Sequence, residues 1–199
     1  MLEDADQGNR DGFIIDCYAQ RMEYFVSQKR QMAALLRPAA KGHPTSPSEI
    51  VINVRAAEIL RGKHPDMMPL PVSYYQRLVK DTGLSPVFVG QVQNDVYGAA
   101  IRAAFPDARF VKSSHWIEDF QTVRNATNIA VAVSTFSWLA AWLSTSATTI
   151  HLPVAGIFNP QQRGDIDLLP KNDDRYIFHN FPVERYKATP EQLERICRI

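Results

Sequence analysis

The sequence predicts an α/β fold, a Rossmann-like parallel sheet with helices on both faces. Two observations carry this. Short, nearly continuous apolar runs such as "IAVAV" (129–133) fit strands buried on both sides, and from residue 50 to 154 such runs alternate with segments of helical spacing.

The elements follow in order. "GFIIDCYAQ" (12–20) starts as a short buried strand, and "RMEYFVSQKRQMAALLRP" (21–38) has helical spacing of Met22, Phe25, Met32, Leu35 and Leu36, stopped by Pro38. "AAKGHPTSPSE" (39–49) has the composition of a linker. Residues 1–38 are therefore set apart from a main domain over 50–199, with 39–49 between them. In that domain "IVINVR" (50–55) is a strand, "VSYYQRLVKDTG" (72–83) a helix closed by Gly83, and "SPVFVG" (85–90) a strand. "DVYGAAIRAAFP" (95–106) is a helix, "ARFVK" (108–112) a short strand and "HWIEDFQTVRNAT" (115–127) a helix. "IAVAV" leads into a helix "FSWLAAWLSTS" (136–146), and "TIHLPV" (149–154) is the last strand of the expected sheet. A polar, Gly/Pro-punctuated stretch, 155–175, is long for a structureless connection and reads as a lid. After "YIFHNF" (176–181) the chain closes on a helix with Thr189 as N-cap, Pro190 at the first helical position and Gln192 completing a capping box.

Composition narrows the function. The 199 residues, 45% hydrophobic, suffice for a sizeable core, and 22 basic against 21 acidic side chains give a formal charge of +1. There is no basic field for nucleic acid, so any bound anion must be held locally. Cys17 and Cys197 lack metal or redox spacing, and no apolar run is long enough to span a bilayer. The expectation is a cytoplasmic protein without a transmembrane segment, which leaves room for peripheral membrane contact. The five histidines, His43, His64, His115, His151 and His179, are scattered without metal-ligand spacing, so no metal is expected. Asp165, Asp167, Asp173 and Asp174 lack calcium-loop spacing and read as a solvated loop. Trp116, Trp138 and Trp142 are expected to pack core or helix faces, with sugar stacking as the alternative.

Ligands of an open parallel sheet bind outside the carboxyl ends of its strands. Three polar groups fall there: Asn53, Arg55 and Glu58 after "VINV", Gly90 and Gln91 after "PVFV", and Ser134, Thr135, Phe136 and Ser137 after "IAVAV". Hydroxyls and free N–H groups at a helix N-terminus suit a phosphate, but Ser and Thr are also preferred N-caps, and both readings stay open. Arg55 at a strand end offers a planar fork that matches phosphate oxygens. The chain has no GxGxxG, no GxxxxGK[ST] and no GxSxG.

"NIAVAVSTFSWLAAWLS" (128–144) resembles the "NSTFSWWGAWLN" signature of the α-1,2-fucosyltransferase family, inverting, metal-independent enzymes that use GDP-fucose. "EDFQTV" (118–123), "PLPVSYYQRLV" (69–79) and "GFIIDCYAQRMEYF" (12–25) are similar to flanking segments of that family, and "INVRAAE" (52–58) stands in place of its "IHVRRGD". Asn53 replaces the family histidine, Arg55 keeps the first arginine, Ala56 replaces the second, Glu58 replaces the aspartate, and Phe88 to Gln91 replace "FSDD". The resemblance implies the nucleotide-sugar-binding half of a GT-B glycosyltransferase that moves fucose from a GDP-sugar donor to a glycan acceptor, with no metal and no further cofactor. It implies Arg55 and the Ser134–Ser137 turn on the diphosphate, Asp119 and Gln91 near the base or ribose, and Glu58 as base on the acceptor hydroxyl. Residues 1–38 would be a remnant of the family's longer acceptor-side region, which makes the chain N-terminally short. A module that binds the nucleotide sugar without transferring it is the alternative; an unrelated hydrolase or mutase would need a nucleophile and base that the sequence does not display.

Overall fold

The computed structural model describes residues 7–8, 19–36 and 41–199. Six strands, all parallel, form one sheet: β1 (Glu49–Val54), β2 (Ser85–Gly90), β3 (Arg109–Phe110), β4 (Asn128–Ala130), β5 (Thr149–Val154) and β6 (Tyr176–Asn180). Their order is β3-β2-β1-β4-β5-β6. The helices are α1 (Lys29–Leu35), α2 (Val72–Thr82), α3 (Val96–Ala104), α4 (Trp116–Asn125), α5 (Thr135–Trp142) and α6 (Pro190–Cys197). The fold is Rossmann-like α/β, and Ile50, Val51, Ile52, Ile129 and Ile150 are buried at the centre of the sheet as the β-branched runs require. The chain winds outward from β1 to β3 and then returns to lay β4 on the other side of β1. The strand order reverses there, and the carboxyl ends of β1 and β4 flank the crevice where such sheets take ligands.

Local chemistry sets the helix ends. The Asp95 carboxylate accepts from Gly98 N at 2.7 Å, and Thr189 and Gln192 form the expected capping box. The last helix before β5 stops at Trp142, short of the expected 146, because the Ser144 hydroxyl accepts from the backbone of Ser146 and Ala147 at 3.2 and 3.0 Å and turns the chain.

Three further features depart from the sequence expectation. β6 is a sixth strand beyond "TIHLPV"; its burial is mostly intermediate or exposed, so it lacks the continuous apolar run of the central strands. The helix expected over 21–38 begins as two 3-10 turns, Met22–Tyr24 and Val26–Gln28, before α1. Phe25 lies between those turns, with its ring 6.4 and 6.5 Å from those of Trp138 and Trp142. The expected strand over 12–20 falls almost wholly outside the described residues. The stretch 155–175, expected as a lid, is packed down instead: Ile166 and Leu168 are buried, and Trp138 Nε1 donates to the Leu168 carbonyl at 2.6 Å. It is anchored because its apolar residues reach the face of α5.

A histidine pair, His151 buried and His179 half-buried, joins β5 to β6. Nδ1 of His151 lies 2.9 Å from Nε2 of His179, and Nε2 of His151 is buried without a partner among the described residues. A second proton on the His151 ring would therefore leave a buried Nε2–H without an acceptor among the described residues. Burial, and then the neighbouring His179, push His151 down from its ordinary value to about 4. The unfolded chain binds this proton more readily than the folded one, so the pair's contribution is complete above about pH 6.5 and is lost as pH falls toward the folded value. Stability is expected to drop by about 2 kcal/mol between pH 7 and pH 5 from this residue. Urea unfolding at both pH values, compared with His151→Gln, checks it: an identical pH dependence in the variant would remove His151 as the cause.

Candidate functional site

The carboxyl end of β1 supplies the first part of the site. Asn53, buried, donates weakly to the Val89 carbonyl at 3.4 Å, and Arg55 follows at the mouth, its guanidinium paired with the Glu58 carboxylate three residues on. The amide oxygen of Gln91 accepts from Ala56 N at 2.9 Å and so ties the turn after β2 to the turn after β1. Gly90 makes that approach feasible: its φ is +100°, and a Cβ there would lie 2.7 Å from the Val54 carbonyl oxygen and 3.1 Å from Asn53 Nδ2. Ala57, at φ +35°, holds a left-handed conformation that costs a non-glycine residue about 1 kcal/mol, and that strain sits at the rim of the crevice.

The turn into α5 supplies the second part. Ser134 is the N-cap, its hydroxyl accepting from Phe136 N at 3.3 Å. Ser137 is fully buried; its hydroxyl accepts from Ala132 N at 3.2 Å and donates to the Ser134 carbonyl at 3.4 Å, tying the turn from beneath. The hydroxyl cluster thus divides by role. Ser134 caps, Ser137 braces, and Thr135 lines the crevice. The first bond closing onto the turn runs from Trp138 N to the Ser134 carbonyl at 3.1 Å, so the N–H groups ahead of it lie at the positive end of the helix dipole.

α4 supplies the third part. Asp119 receives a hydrogen bond from the Ser113 hydroxyl at 2.5 Å. Burial raises its carboxyl above the ordinary range, while the Ser113 hydrogen bond acts in the opposite direction. Trp116, one turn earlier, is 61% exposed, and its ring stands edge-on to Phe136 at 6.4 Å.

These parts meet in one cleft of about 310 Å³ lined by Asn53, Val54, Arg55, Met67, Gly90, Gln91, Trp116, Asp119, Ser134, Thr135 and Phe136. Eight residues singled out from sequence are brought together here: Asn53, Arg55, Gly90, Gln91, Asp119, Ser134, Thr135 and Phe136. Glu58 stands behind Arg55 and Ser137 beneath the turn, and neither lines the cleft. Sequence reasoning passed over Met67 and left Trp116 with the core aromatics. The signal for Trp116 was its place at the start of a helix facing a strand-end crevice, whereas Trp138 and Trp142 are buried core as expected. A second concavity of about 310 Å³ adjoins the cleft, shares Met67 and Thr135 with it, and contains His64, Asp66 and Arg163.

A larger concavity, about 590 Å³, lies by the amino end of β6 and the end of α5, and most of its charges are already paired: Lys29 and Arg175 with Asp173 at 3.8 and 2.6 Å, Lys171 with Asp167 at 3.4 Å. The smaller cleft is the better candidate because it sits at the strand-order reversal and contains a helix N-terminus. Among the described residues no group of three or more His, Cys, Asp or Glu could hold a metal ion, and no helix is long and apolar enough to cross a membrane. The chain matches no family model, no curated protein and no solved structure.

Proposed function

We propose that the cleft binds a nucleoside-diphosphate sugar and that the chain is a glycosyltransferase, or the donor-binding half of a GT-B enzyme, with GDP-fucose the leading donor and a glycan hydroxyl the acceptor. The observation that carries this reading is the convergence, at the β1/β4 reversal, of a guanidinium, a helix N-terminus and a carboxylate beside an exposed tryptophan. Arg55 and the first turn of α5 would neutralise the diphosphate, which gains charge as the glycosidic bond breaks; preorganised donors stabilise such a leaving group without covalent chemistry. Trp116 and Phe136 would wall the base, and Asp119 would accept from its N–H edge. The adjoining concavity with His64 and Asp66 leaves room for an acceptor beside the diphosphate. Glu58 is engaged by Arg55, so service as base on the acceptor would require that pair to part. The same pairing favours the second reading, a module that binds the nucleotide sugar and does not transfer it.

Calorimetric titration with GDP, GDP-fucose, UDP and dTDP without added metal tests the site. Selective binding of GDP and GDP-fucose is the expected result, and binding of none of the four would overturn the reading; transfer to an acceptor then separates enzyme from module. Asp119→Asn adds an internal check. Because burial of the ionised carboxylate works against the fold, the variant is expected to melt no lower than the parent while binding GDP about tenfold more weakly through loss of a charge-assisted hydrogen bond. Undiminished affinity would take Asp119 out of the base site.

A further inference from the structure

Residues 41–48, the described part of the stretch 39–49 that reads as a linker, are fastened to the body. His43 N donates to Thr122 Oγ1 at 2.8 Å, Arg109 donates to the Pro44 carbonyl at 3.0 Å, and Asn128 Nδ2 donates to the Pro47 carbonyl at 2.9 Å. Gly42 lies so close to α4 that a Cβ would stand 2.6 Å from the Gln121 carbonyl carbon and 2.9 Å from Gln121 Cβ. This docking brings the His43 ring to the back of the candidate cleft. Its Nε2 is 3.2 Å from Ser113 Oγ, the hydroxyl that donates to Asp119. A hydroxyl has one proton. With that proton given to Asp119, the contact to His43 is a hydrogen bond only if Nε2 carries a hydrogen and donates.

We propose that His43 is a positioning residue for Asp119, acting through Ser113, so that docking of the 41–48 segment on α4 sets how the cleft reads a nucleobase. An Nε2–H on His43 leaves Ser113 a single acceptor and fixes the Asp119 carboxylate as a receptor for adjacent ring and amino N–H groups of a purine. A bare Nε2 competes for the Ser113 proton and releases Asp119 from its only side-chain donor among the described residues. Two carboxylates stand on this side of the ring: Glu118 Oε2 on α4 is 3.8 Å from Nε2, and Asp119 lies beyond Ser113. The basic groups close by along the chain and packing are Lys41 on the same segment, Lys112 beside Ser113, and Arg109 of β3, the last held by Pro44 and Glu49. The base-reading part of the proposal rests on the nucleotide-site reading; the His43–Ser113–Asp119 chain does not.

The experiment measures GDP and IDP binding by calorimetry from pH 5.5 to 8 for the parent, Ser113→Ala, Ser113→Thr and His43→Ala. IDP keeps the ring N–H and lacks the amino group, so the GDP/IDP ratio reports on a carboxylate fixed to accept from both. The ratio is expected to fall at least fivefold in Ser113→Ala and His43→Ala, to survive in Ser113→Thr, and to lose its pH dependence in His43→Ala. An unchanged ratio and pH profile in Ser113→Ala and His43→Ala would overturn the proposal. ¹⁵N NMR of His43 gives a readout without nucleotide: Nε2 is expected to be protonated in the parent and to change state in Asp119→Ala, where Ser113 is free to donate to it. The same His43 state in both proteins would sink the relay. If the parent binds neither nucleotide, the functional reading fails and the NMR comparison alone decides the relay.

Discussion

Arg55→Ala is expected to weaken GDP binding about 10- to 100-fold, the loss of roughly 1.5–3 kcal/mol that accompanies removal of a charge-assisted contact. The side chain lines the cleft at the carboxyl end of β1, where its fork can meet two oxygens at once. Its pairing with Glu58 shapes the result in two ways. Truncation leaves the Glu58 carboxylate without its partner beside the diphosphate position, so part of the loss is repulsion, and Arg55→Ala with Glu58→Ala should bind better than Arg55→Ala alone. Glu58→Gln alone should tighten GDP binding a few-fold, because the diphosphate no longer competes for the guanidinium. If Glu58 is instead the acceptor base, transfer should vanish in that variant while donor affinity is kept. Thermal stability should barely change throughout, since both partners are about one-third exposed and such pairs contribute about 1 kcal/mol or less. Arg55→Lys should fall between, as a point charge without the fork. Undiminished GDP affinity in Arg55→Ala would remove Arg55 from the site.

Much of the sheet was legible in the sequence because a strand buried on both faces leaves a mark no solvent-exposed segment leaves. "IVINV" and "TIHLPV" could be read without context. β6 could not: as an edge strand it exposes Ile177 and Phe178, and its composition does not separate it from a loop. The cleft was legible for a topological reason, since strand ends of a parallel sheet share one side of the molecule and polar residues after β1, β2 and β4 must converge there. What lay beyond reach was the partition of roles within the cluster. Ser134, Thr135 and Ser137 look alike in the sequence, and only the backbone path decides that one caps, one faces the cleft and one braces Ala132. Trp116 was equally ambiguous, because helical spacing does not say which aromatic is turned outward at the first turn. His43 lay in a stretch whose Pro, Ser and Gly content signals a linker, and the docking that carries it to Ser113 depends on contacts over 79 residues of sequence.

Trp138→Ala is expected to destabilise the protein by about 4 kcal/mol, in the range measured for large-to-small changes at buried aromatics. Trp138 is 4% exposed, stacks on Trp142 with ring centroids 5.6 Å apart and planes 8° from parallel, and meets Phe25 from the N-terminal turns. Its indole N–H also satisfies the Leu168 carbonyl at 2.6 Å, so alanine would both open a cavity and orphan a buried acceptor. For a chain of this size the melting temperature should fall by roughly 8–16 °C. Trp138→Phe separates the two contributions: it keeps most of the ring contact and loses the donor, for an expected cost of about 1–2 kcal/mol. The residue lies one turn from Ser134, and its indole is the tie that holds 155–175 against α5. GDP affinity should therefore fall in Trp138→Ala even under conditions where the variant is folded, because the α5 turn loses its backing, and should be nearly unchanged in Trp138→Phe. Urea unfolding followed by fluorescence, with GDP titration of the folded variants, measures both. A Trp138→Ala protein that loses less than about 1 kcal/mol would mean that the three aromatic rings do not form the clamp between the N-terminal turns, α5 and the 155–175 segment.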